Sequence, residues 1–216
     1  MRLIWARCHV TGLRWRDIPE GPVILVANHV NWIDPVVIGI SCPYQISMFG
    51  KEELFHIPIL KNLIRRWHAI PVRRGGADRE ALRRAIRTVS SGRILGIFPE
   101  GKRSAEGELQ KGLSGAAFIA LQTGAMIVPI GISGTRGIRA KPHPFHLGYI
   151  TINIGQPFQL SRTNTDNLKD ELQQHTDLIM HRIAELLPED ARGIYADGSN
   201  SRTSPASLNG RQELAG

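Results

Sequence analysis

The sequence predicts an α/β fold: a single domain with a largely parallel or mixed central sheet flanked by helices. Short β-branched runs alternate along the chain with amphipathic segments of helical period, which is the pattern of strand and helix units. Polar or glycine residues follow several of these runs directly, as they do where a strand empties into a loop. A chain of 216 residues with 42% apolar content fills one sizeable core and is short for two.

Taken in order, residues 22–27 (PVILVA) read as a buried strand that delivers Asn28 and His29 to its C-terminal end. Asp34 followed by Pro35 and VVIGI is a helix-start signal. Residues 44–49 form a second strand. In 57–67, Ile57, Leu60, Ile64 and Trp67 recur at helical spacing while Lys61, Arg65 and Arg66 lie off the stripe. That helix either buries its apolar face in the core or rests its basic flank on anionic headgroups.

A third strand, 69–72, ends in Arg73 and Arg74, and Gly75-Gly76 turns the chain into a helix over 78–89 with Leu82, Ala85, Ile86 and Val89 on its apolar face. A fourth strand, 94–98, runs into Pro99, Glu100 and Gly101. A small-residue helix (112–122), strands over 126–133 and 149–154, and a long helix (166–187) complete residues 1–196 as one domain. Residues 197–216 are rich in Gly, Ser and Asn with few large apolar groups, and are expected to be a disordered tail because they bury too little surface to offset their ordering entropy.

A formal charge of +8 favours an anionic partner: a phosphate ester, a membrane surface or a nucleic acid. The only cysteines, Cys8 and Cys42, have no ligand-like spacing, so neither a disulfide framework nor a zinc site is indicated, and a reducing cytosol fits. His143 and His146 lack a supporting carboxylate or Cys, and no metal is assigned. No apolar run approaches the roughly 20 residues of a spanning helix, so neither a signal peptide nor a membrane anchor is expected.

In an open α/β sheet, loops at the C-terminal strand ends line one crevice. His29, Arg73 and the stretch 100–103 meet there if their strands are mutually parallel. Asp34 alone reads as a helix N-cap worth about 1 kcal/mol; beside His29 it also serves to hold one imidazole nitrogen protonated and leave the other as a base. FPEGKRS combines a turn, a glycine and cations suited to phosphate oxygens, although alone it reads as a solvated loop. No GxSxG elbow or paired Cys supports a covalent acyl-enzyme.

These residues resemble a family, the glycerolipid acyltransferases of the lysophosphatidic acid acyltransferase type, over about residues 12–196. NHVNWID is similar to the first motif, NHxxxxD, which implies catalytic roles for His29 and Asp34. IPVRR resembles the second, implying that Arg73 binds the acceptor's phosphate. FPEGKRS resembles the third, implying acceptor-binding parts for Glu100, Gly101 and Arg103, with Lys111 as a basic step after it. Val128, Pro129 and Ile130 resemble the fourth motif, which implies the acyl side of the site; a backbone N–H there is expected to steady an oxyanion. Asn31 stands where the family often has Ser, and Lys102 replaces Thr, departures that bear on the acceptor.

The resemblance implies acyl transfer from acyl-CoA or acyl carrier protein to a lysophospholipid hydroxyl, foremost 1-acylglycerol 3-phosphate, with no cofactor. It further implies peripheral contact with an anionic membrane surface on the cytoplasmic side. The same chemistry on glycerol 3-phosphate, another lysophospholipid or an aminolipid is the alternative. A non-catalytic basic domain for membrane or nucleic acid is the rival from another class, and no nucleic-acid motif supports it.

Overall fold

A computed structural model describes residues 2–3, 6–56, 64, 67–73, 78–138, 148–163 and 167–196. Its strands are β1 (Arg2–Leu3), β2 (Ala6–Gly12), β3 (Val23–Ala27), β4 (Ile46–Lys51), β5 (Ile70–Val72), β6 (Ile94–Ile97), β7 (Met126–Ser133), β8 (Gly148–Ile154) and β9 (Phe158–Gln159). The helices are α1 (Asp34–Ser41), α2 (Arg79–Ser90), α3 (Gly115–Thr123) and α4 (Leu168–Ala184). The strands make one mixed sheet in the order β1-β2-β8-β7-β3-β6-β4-β5, with β9 also on β7.

Five neighbours, β7, β3, β6, β4 and β5, run parallel. The chain turns back at β8, which is antiparallel to β7, and β2 then pairs parallel with β8. The parallel block reads as unbroken apolar runs because helices cover both of its faces. Ile24 and Val26 of β3 face the cluster that includes α2, α3 and α4, whereas Val23, Leu25 and Ala27 face the cluster of α1 and the buried Trp15. Local signals set the helix ends: the Asp78 carboxylate accepts from the N–H groups of Glu80 and Ala81 to start α2, and Gly124 at φ +64° closes α3.

The strand β2 was not expected, because Arg7 and His9 break its apolar run. It forms as an outer strand, with Cys8 turned inward and Arg7 and His9 exposed, and pairs over its full length from Ala6↔Gly148 to Gly12↔Ile154. The short β9 was also unforeseen. Most of the helix expected over 57–67, together with Arg74, His143, His146 and the tail 197–216, lies outside the described residues. No helix among the described residues is long and apolar enough to cross a membrane.

At Gly131 in β7 a Cβ would lie 2.6 Å from the Leu186 carbonyl oxygen, a backbone atom that cannot step aside. Gly131→Ala is therefore expected to destabilise the domain by about 1–3 kcal/mol, the usual cost of overpacking, seen as a melting temperature several degrees lower. An unchanged melting curve would mean that Leu186, just after α4, does not press on β7 in this way.

Candidate active site

Because β3, β6 and β5 are parallel, the residues after them share one edge of the sheet. Asn28 marks where β3 leaves its neighbour. Its Nδ2 donates to the Ile132 carbonyl (2.9 Å) and its Oδ1 accepts from the Ile132 N–H (2.7 Å), so the side chain extends the ladder after the backbone has turned away. His29 then stands at the exit with its ring stacked on Phe98, centroids 4.3 Å apart and 24° from parallel.

Asp34 is fully buried, and one of its oxygens, Oδ2, accepts three hydrogen bonds: from His29 Nδ1 (2.9 Å), Val30 N–H (2.7 Å) and Asn31 N–H (2.6 Å). Asp34 is not the N-cap of α1 that its place before Pro35 suggests. The cap position of α1 is Ile33, without a side-chain cap bond, and Asp34 is the first helical residue. Side chains in a helix tilt toward its N-terminus, so the carboxylate reaches back into the loop, where the helix dipole also favours negative charge. An acceptor-only carboxylate on Nδ1 assigns the proton to that nitrogen and leaves Nε2 with its lone pair. Nε2 has no partner among the described residues, and 12% of the His29 side chain remains exposed.

Glu100, expected to take part in acceptor binding, is 4% exposed, and both of its carboxylate oxygens are engaged by backbone donors. Its Oε1 accepts from the His29 N–H (2.6 Å) and its Oε2 from the Gln110 N–H (2.9 Å), so both oxygens hold loops together. Burial pushes its carboxyl up to about 7, against the lowering pull of those two donors. Ser104 adds a second tie, its N–H donating to the His29 carbonyl (2.8 Å). Phe98, Ser104 and Gln110 were not singled out from the sequence; for Phe98 and Ser104 the signal was their place at the two ends of the FPEGKRS run.

Gly101 turns the chain at φ +67°, and a Cβ there would strike Leu113 Cδ1 at 2.6 Å. Arg103 and Lys111 are exposed at this edge and make no ion pair among the described residues. Arg73 is set apart. It follows β5, three strands from β3 and so about 14 Å sideways, and its guanidinium, 79% exposed, pairs with Glu52 at 2.8 Å.

Val128 and Ile130 of β7, beside β3 in the sheet, are fully buried in the core, and Pro129 lines a cavity of about 340 Å³ with Leu13, Gly155 and Leu186. Of the backbone groups expected to offer an oxyanion donor, Pro129 has no N–H, while Val128 lies opposite Leu25 and Ile130 lies between Ala27 and Ile154 in the sheet. Cys8 and Cys42 are buried and unpaired, and burial raises both thiols, Cys42 to about 11. Neither is activated as a nucleophile.

The sequence pattern of the Acyltransferase family matches residues 8–133. The chain is 29% identical to a 1-acyl-sn-glycerol-3-phosphate acyltransferase of Bacillus subtilis, over 76% of this chain and 80% of that one. It is 31% identical to a lyso-ornithine lipid O-acyltransferase of Pseudomonas aeruginosa, over 60% of this chain and 50% of that one. Among solved structures it is similar to the 1-acyl-sn-glycerophosphate acyltransferase of Thermotoga maritima, with a TM-score of 0.64 and 26% identity, covering 82% of this chain and 70% of that one.

Glu100 titrates in the folded state near 7, above the ordinary carboxyl value near 4.5. A raised carboxyl binds its proton more tightly in the folded protein, so its contribution is fully present below about 4.5 and is lost as pH rises through about 7. Wild-type stability relative to Glu100→Gln should therefore be greater at pH 4.5 than at pH 8, by on the order of 3 kcal/mol. Denaturant melts at both pH values check this; an equal difference at the two would show that Glu100 is not buried as a carboxyl.

Proposed function

Since the chain belongs to the Acyltransferase family, whose members move acyl groups, we propose that it acylates the free hydroxyl of a lysophospholipid, foremost 1-acylglycerol 3-phosphate, giving phosphatidic acid. The observation that carries this reading is the His29–Asp34 pair, held just past the C-terminal end of β3 with Nε2 unengaged among the described residues.

An alcohol is a weak nucleophile, whereas a thioester already carries a good leaving group. The help most needed is removal of the hydroxyl proton, typically worth about 10²–10⁴-fold. His29 Nε2 takes that proton as the oxygen attacks the thioester carbonyl carbon. The tetrahedral intermediate then collapses with cleavage of the C–S bond, and the imidazolium returns the proton to the departing thiolate. Asp34 favours the imidazolium while it exists. The raised thiols of Cys8 and Cys42 support direct transfer without an acyl-enzyme.

The donor is acyl-CoA or acyl carrier protein, and no cofactor is needed. Arg103 and Lys111, beside the Gly101 turn, supply charge for the acceptor's phosphate, while Glu100 positions the loops. For Arg73 to share that task it must exchange Glu52 for the phosphate. The acyl chain is assigned to β7 at the cavity that Pro129 lines, while Val128 and Ile130, fully buried, shape that strand from its core side. Trp32 (47% exposed) and Leu113 (61% exposed) lie in the same loops as His29 and Gly101, with Lys102 and Arg103 exposed nearby. That mixture suits peripheral contact with an anionic bilayer, on its cytoplasmic face.

A second reading, acylation of a phosphate-free aminolipid, draws on the Pseudomonas relative. Purified protein incubated with a panel of thioesters and lysolipids, with products scored by mass, separates the two. Phosphatidic acid is the expected product, and His29→Ala should remain folded while losing about 10³-fold or more in turnover. Product formed only from lyso-aminolipid would replace the acceptor, and near-normal turnover by His29→Ala would remove the base.

A further inference from the structure

We propose that Arg136, in the turn after β7, is a further binding residue for the acceptor's phosphate; this rests on the phosphorylated acceptor proposed above. Residues 135–138 form a tight turn closed by the Ile138 N–H donating to the Thr135 carbonyl (3.0 Å), with Arg136 and Gly137 exposed at its apex. As β7 runs parallel to β3, this turn lies at the same sheet edge as His29.

Two contacts place it more closely. The Asn31 side-chain amide donates to both ends of the turn, at the Thr135 (2.8 Å) and Ile138 (2.9 Å) carbonyls, so the turn hangs from the loop that carries His29. On its other side, the Arg136 side chain lies over Gly107: a Cβ there would fall 2.7 Å from Arg136 Cδ and 2.9 Å from Nε. The Gly107 N–H donates to Ser104 Oγ (3.1 Å), and Ser104 is itself tied to the His29 carbonyl. The Arg136 side chain is thus laid against the loop that runs from Gly101 to Gly107, while the turn that carries it hangs from the His29 loop.

Its charge is available. Arg136 makes no ion pair among the described residues, whereas Arg73 is committed to Glu52. A phosphate arriving at Arg136 gains a forked, charge-assisted contact without displacing a carboxylate. None of the four motif-like segments includes this residue, so the sequence pattern alone does not point to it.

The test compares kcat/KM for 1-acylglycerol 3-phosphate with that for monoacylglycerol in the wild type, Arg136→Gln and Arg136→Lys, together with inhibition by inorganic phosphate. Arg136→Gln should lower the ratio of the two by about tenfold or more, chiefly through KM. It should also weaken phosphate inhibition by a similar factor, and Arg136→Lys should restore part of both. A ratio and a phosphate inhibition unchanged in Arg136→Gln would overturn the proposal. A wild type that shows no preference for the phosphorylated acceptor would instead overturn the proposed acceptor, and Arg136's role with it.

Discussion

One carboxylate oxygen organises the site. Oδ2 of the buried Asp34 receives the imidazole and the next two backbone N–H groups of the same loop. A buried charge is costly unless it is paired with donors, so the loop is drawn into a curl around it, and the curl fixes the position of the imidazole. Loop and ring cannot be rearranged separately, because both answer to the same atom. The Phe98 ring against the imidazole face narrows its freedom further.

The same device recurs wherever the chain leaves the sheet near the crevice. Asn28 reaches 104 positions along the chain to Ile132, Asn31 the same separation to Thr135, and Glu100 reaches 71 positions back to His29. In each case a side chain satisfies backbone groups that a strand neighbour would otherwise have satisfied. The loops are thereby held to the parallel block, a placement that the proposed general-base transfer requires.

How much of this was legible depended on whether the cause was local. The strands β3, β6 and β7 were legible because both faces are covered and their apolar runs are unbroken. β2 was not, since as an outer strand it tolerates Arg7 and His9, and its partner β8 lies far along the sequence. The pairing of His29 with Asp34 was legible at short spacing. The tie that Glu100 makes between two loops was not, because a carboxylate in a turn reads as a ligand until its burial and its two backbone donors are known. Arg73 and Val128 to Ile130 show the same limit: their strands were foreseen, but which groups Glu52 engages and which side chains have open space in front of them are properties of the folded chain.

The account turns on which imidazole nitrogen of His29 carries the proton. Two-bond ¹H–¹⁵N correlation spectra of the folded protein, with His29→Gln used for assignment, read this directly. The account predicts that at a pH where the ring is neutral His29 is protonated at Nδ1, with Nε2 bare. A ring protonated at Nε2 would contradict it, since Asp34 would then not be orienting a base.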